Sequence, residues 1–145
     1  MKNPETYAEE FVIKEFPEAN SRDVFLLAKG FIAGFKIGED LRMKRMSPYE
    51  YIIDIISTYY DMPIKIMKQK TRKREIVQAR QISFYFGKKY TNFSLYRLGK
   101  FFELDHATAL HGIVVIENLK DTNRNFRKEL KEIEEIIEEK LKQKQ

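Results

Sequence analysis

The run Asp105-His106-Ala107-Thr108-Ala109-Leu110-His111 holds the residues best suited to chemistry in this chain, with short polar and methyl-bearing side chains ahead of an apolar series. A carboxylate at Asp105 can accept from a cytosine amino group and the imidazole of His106 can bond a base edge. The methyls of Ala107 and Thr108 suit contact with thymine methyls. His111, a little over a turn later, can approach a phosphate. A helix that opens this way reads a major groove if its opposite face is apolar, and Ala109, Leu110, Ile113 and Ile116 are expected to form that face. The same residues make a poor active site. His106 and His111 are five positions apart instead of four, with no evident third ligand. No serine stands in a nucleophile elbow, no Gly-x-x-x-x-Gly-Lys-Ser/Thr loop occurs, and cysteine is absent. The reading is a non-enzymatic protein without metal or cofactor.

Charge supplies the second resource. The net charge is only +5, but residues 61–100 hold eleven bases against Asp61 and Glu75, a local +9, while both flanking stretches are slightly acidic. A segment so biased is a footprint for a polyanion. Its densest part, Lys68 to Arg74, has no apolar residue to anchor it and reads as an exposed, flexible loop. Arg72 and Arg74 are candidates to enter a minor groove from there. Lys88, Lys89, Thr91 and Arg97 sit near helix ends, where phosphate contacts are expected.

Helices must position these groups. With 43% hydrophobic and 34% charged residues, 145 residues suffice for a helical core with a solvated surface. Asn3-Pro4 begins a helix expected to reach Phe16; Pro17 stops it, and Asn20 or Ser21 caps a second carrying Val24, Phe25, Leu27, Ala28, Phe31, Ile32 and Phe35 to a stop at Gly38. Residues 38–47 read as a polar, basic linker. Ser47-Pro48-Tyr49-Glu50 is a capping box before an isoleucine-rich helix, and Pro63 starts a short turn of helix through Met67. From about Glu75 a helix buries Ile76, Ala79, Ile82, Ser83, Phe86 and Tyr90, leaving Arg80, Gln81, Lys88 and Lys89 for solvent or DNA. Ser94 caps a short helix, and a tight turn at Glu103-Leu104 leads to Asp105, so these two helices have the outline of a helix-turn-helix. A charged helix follows over 122–143, expected to pack through Phe126, Leu130, Ile133 and Ile137.

Taken in order, Tyr59-Tyr60, Ile64 to Met67, the basic loop, Arg80-Gln81, Thr91-Asn92-x-Ser94-Leu95, Leu98-Gly99 and Asp105-His106-x-Thr108-x-Leu110-His111 resemble the C-terminal DNA-binding domain of the bacterial replication initiator DnaA, over roughly residues 50–120. The resemblance implies an all-α, Trp-repressor-like helix-turn-helix bundle that recognises double-stranded DNA at DnaA-box-like sites. It implies Asp105, His106, Ala107 and Thr108 in the major groove and Arg72 in the minor groove. Arg80, Gln81, Lys88, Thr91 and His111 would hold the backbone, with Arg74 beside them. Ala107 stands where the family has threonine, Glu103-Leu104 shortens a glycine-rich turn, and Val114-Val115 replaces a basic pair.

The expected organisation is a helical hairpin and linker over 1–45, the helix-turn-helix domain over 46–120 and the charged helix over 121–145. The family's ATPase module does not fit in the first 60 residues, so the expectation is a stand-alone binder, of phage or mobile-element type, that regulates replication or transcription by occupying its sites. The alternative is a helical adaptor or scaffold whose DNA reading is lost or non-specific. A protein partner is expected at the N-terminal or C-terminal helices. No signal-like segment or apolar run of 18 residues occurs, which suggests a cytoplasmic protein and no membrane partner.

Overall fold

The computed structural model describes residues 4–144, and among these every regular element is a helix. The chain divides into two compact units, Met1–Arg45 and Met46–Gln145. No helix among the described residues is long and apolar enough to cross a membrane.

The first unit is a pair of helices, α1 (Pro4–Glu15) and α2 (Ser21–Arg45). Asn3, read as a cap, lies outside the described residues. Asn20 caps α2, its Oδ1 accepting from the amides of Arg22 and Asp23, both at 3.0 Å. Gly38 does not stop α2, and the linker expected over 38–47 is mostly helix, since α2 runs to Arg45. A single glycine costs a helix only about 1 kcal/mol, which neighbouring helix formers outweigh. Among the described residues, the seam between the two helices buries Ala8, Val12 and Ala28, flanked by Val24 and Ile32. Phe25, Leu27 and Phe31, expected inside, remain 50%, 45% and 41% exposed, because two helices alone can enclose only a narrow stripe of each other.

The second unit contains α3 (Pro48–Tyr59), α4 (Ile64–Met67), α5 (Arg74–Tyr90), α6 (Leu95–Lys100), α7 (His106–Thr122) and α8 (Arg124–Lys144). The capping box is present at α3: Ser47 Oγ accepts from Glu50 N at 3.2 Å, and Glu50 accepts from Ser47 N at 2.8 Å. These backbone and side-chain bonds with Ser47 hold the Glu50 carboxyl below its ordinary range. The core gathers Ile52, Ile53 and Ile56 of α3, Ile82, Phe84 and Phe86 of α5, Ile116 of α7 and Ile133 of α8. Helix α8 belongs to this unit, burying Phe126, Leu130, Ile133 and Ile137 against it. Polar bonds seat the same helix: Tyr59 Oη donates to Glu132 at 2.9 Å, Tyr60 Oη to Glu129 at 2.5 Å, and Tyr90 Oη to Glu138 at 2.8 Å.

Candidate nucleic-acid interface

The helix-turn-helix is α6, a turn and α7. Ser94 Oγ caps α6 by accepting from Arg97 N at 3.2 Å, and α6 ends in a turn where the amides of Phe102 and Leu104 both donate to Gly99 O at 3.0 Å. Glu103 closes this turn at φ 57, a left-handed conformation more natural to glycine. Gly99 cannot be replaced cheaply, since a Cβ there would lie 2.7 Å from the carbonyl oxygens of both Leu104 and Asp105. That close approach sets the angle at which α7 leaves the turn.

Asp105 is the N-cap of α7, its Oδ1 accepting from Thr108 N at 2.7 Å. Hydrogen bonds from the Thr108 side chain and then its amide hold the exposed Asp105 carboxyl below its ordinary range. Asp105, His106, Ala107, Thr108 and His111 are all exposed. The inner face of α7 differs from the expected one: Ala109, Ile113 and Ile116 are buried, but Leu110 is 48% exposed and Gly112 takes the inner position. A Cβ on Gly112 would meet Phe84 at 2.9 Å and Gln81 at 3.1 Å, so the glycine lets α7 lie close on α5. Leu110 and Val114, 43% exposed, therefore belong to the outer side that also carries Ala107 and His111.

Of the flexible loop expected over Lys68 to Arg74, Arg74 already opens α5 and the backbone before it is tied down. Arg80 is only 7% exposed; its Nη2 donates to Thr71 O at 2.8 Å and its Nη1 to Gln69 O at 3.4 Å. Thr71 Oγ1 also accepts from Lys73 N at 3.2 Å. Burial lowers the Arg80 pKa from its usual value. Arg80, expected on the DNA backbone, is thus engaged with the protein's own loop. Periodicity held the signal for this: position 80 is four residues after Ile76 and three before Ser83, on the helix face that packs inward.

Arg72, exposed, shares one open groove with Arg80, Gln81, Thr108 and His111, which brings the loop, α5 and the start of α7 together. An adjoining depression joins Arg72 and Arg74 to Val115 and Leu119 of α7. Lys88 and Thr91 are not part of this cluster. Lys88 is exposed near the far end of α5, about 21 Å from Arg74 at the rise of an α-helix. The Thr91 hydroxyl is occupied locally, donating to Gly87 O at 2.5 Å and accepting from Phe93 N at 3.3 Å. Lys89, read as free for phosphate, is paired with Glu134 of α8. The guanidinium of Arg97 stacks 3.6 Å over the Phe93 ring, which orients a cation that remains exposed. Among the described residues, no three His, Asp or Glu side chains gather as a metal site requires.

Residues 49–116 match the family described as the bacterial dnaA protein helix-turn-helix. The chain is 37% identical over 111 residues to the chromosomal replication initiator protein DnaA of Flavobacterium psychrophilum, covering 75% of this chain and 22% of that protein. It is 38% identical over 90 residues to the protein of the same name from Bacteroides thetaiotaomicron, covering 61% of this chain and 19% of that one. The chain therefore spans about a fifth of the length of these curated relatives. The capped turn from α6 to α7, the order of the helices around it and the family match over the same residues lead to one conclusion: the segment 49–116 is a helix-turn-helix domain of the bacterial DnaA family.

Proposed function

We propose that this protein binds double-stranded DNA at DnaA-box-like sites, reading the major groove with Asp105, His106, Ala107 and Thr108 and the minor groove with Arg72. The observation that carries the reading is the common groove of Arg72, Gln81, Thr108 and His111, which joins a basic loop to the start of an exposed, capped helix. A duplex entering there meets base-edge partners on one side and a guanidinium on the other. Gln81, His111 and Arg74 flank the groove and hold phosphates, and Lys88 reaches the backbone further along. At Thr91, whose hydroxyl is engaged, a phosphate contact requires a change of hydrogen bond. Leu110 and Val114, apolar on the outer side of α7, suit thymine methyls more than phosphates. Occupying such sites would regulate replication or transcription, and the protein acts as a binding module, not a catalyst.

Selection from random duplexes at physiological salt tests the proposal. Enrichment of a short motif is the expected result, and recovery of duplexes without any shared motif overturns it. One observation favours a second reading, a protein-interaction scaffold: Phe16, Phe25, Leu26 and Ile37 in the helical hairpin are each half exposed or more. A partner docked through those side chains together with failure of the selection would establish that alternative.

A further inference from the structure

Arg80 and Ser83 are the polar side chains buried in the described core. Ser83 bonds within its own helix, to Ala79 O at 2.8 Å, but Arg80 reaches out of α5 to the carbonyls of Gln69 and Thr71. Burying a guanidinium costs desolvation that an apolar residue on the same face would avoid, so its presence calls for a reason beyond packing. The two carbonyls lie on either side of Lys70, and the second belongs to the peptide bond that leads into Arg72. On the other side of Arg72, the amide of Lys73 donates to Thr71 Oγ1. The backbone around Arg72 is therefore held from both sides, while the Arg72 side chain stays exposed in the groove beside Thr108 and His111. A planar guanidinium can engage two carbonyls at once; a lysine ammonium at the same place is a point charge on a flexible stem and does so poorly.

We propose that Arg80 is a positioning residue for minor-groove recognition: by holding the carbonyls of Gln69 and Thr71 it presents Arg72 to the duplex in a single register. This rests on the two-groove reading above. Without Arg80 the loop would sample many conformations, and Arg72 would have to be ordered at the moment of binding.

The test is a double-mutant cycle in the full chain, with Arg72→Ala, Arg80→Met and the two combined, measured on the selected duplex and on duplexes with A·T and G·C exchanged at each position. Thermal melting of each variant reports folding separately. Arg80→Met is expected to weaken binding about tenfold, to lose A·T preference at the same positions as Arg72→Ala, and to add nothing once Arg72 is removed. Arg80→Lys should fall between Arg80→Met and the unmutated protein, and it carries the cycle if Arg80→Met does not fold. Additive losses, with Arg72→Ala still selective in its effect, would overturn the role of Arg80 while leaving the two-groove reading intact. If Arg72→Ala changes neither affinity nor preference, the minor-groove reading fails and the proposal fails with it.

Discussion

At the scale of single residues, the start of α7 gives each side chain a different duty. Asp105 has one oxygen on the Thr108 amide, the bond that caps the helix. Its carboxyl is held below the ordinary range by the Thr108 side chain and then by that amide bond. A carboxyl lowered on folding contributes stability that is complete above its unfolded pKa and disappears as pH falls through the folded one. Asp105→Asn keeps an N-cap and should flatten this acid limb of the melting-temperature profile, whereas Asp105→Ala should lower the melting temperature at neutral pH as well. Unchanged melting profiles in both variants would remove the cap from the account of α7. His106 is exposed at the start of α7, and His106→Ala should cost about 1–3 kcal/mol on the selected duplex and relax choice at one base position. Lys88→Ala should weaken every duplex alike and make the salt dependence shallower by about one phosphate contact. Titrations over a range of salt separate the two. At Arg80 the charge suggested a phosphate, and its place on the apolar face of α5 gives it partners in the protein's own loop.

Among the elements, the turn between α6 and α7 is the narrowest constraint. Gly99→Ala places a methyl 2.7 Å from two backbone oxygens that cannot move without opening the turn. A loss of about 3 kcal/mol in chemical denaturation is expected, together with loss of DNA affinity, because α7 would leave the turn at a different angle. A variant as stable as the original would show that the turn has room. The C-terminal helix is the other element on which the second unit depends. Ile133 is fully buried, so Ile133→Ala should cost about 2–5 kcal/mol and destabilise the unit that carries the reading helix. Its polar contacts also withdraw Lys89 from the pool of phosphate ligands, a pairing that the net charge of residues 61–100 cannot reveal. The buried positions of α8, by contrast, were legible from spacing, since Phe126, Leu130, Ile133 and Ile137 are the apolar series and are the residues buried.

For the whole molecule, the Tyr59, Tyr60 and Tyr90 bonds to acidic residues of α8 make stability sensitive to alkali. Burial, then the bond to Glu132, pushes the Tyr59 phenol up to about 12, and burial with Glu129 raises Tyr60 as well. A raised folded pKa leaves stability whole below the unfolded value near 10 and erodes it as pH climbs through the folded one, since only the unfolded chain ionises readily at first. Denaturation midpoints should hold to about pH 9 and decline above 10; a flat profile there would mean these bonds do not hold α8. What the sequence determined by itself was local chemistry: Ser47 and Ser94 as caps, helical class from the 3-4 spacing, and the landmarks that mark the family. Caps and periodicity act over a few residues, so they can be read in one dimension. Only the tertiary structure decided which carbonyls the inward-facing Arg80 meets, that Leu110 yields the inner position to Gly112, and that Lys89 meets Glu134. Each of those depends on how closely two helices pack and which residues distant in the chain they bring together. Spacing along a single helix does not contain that information.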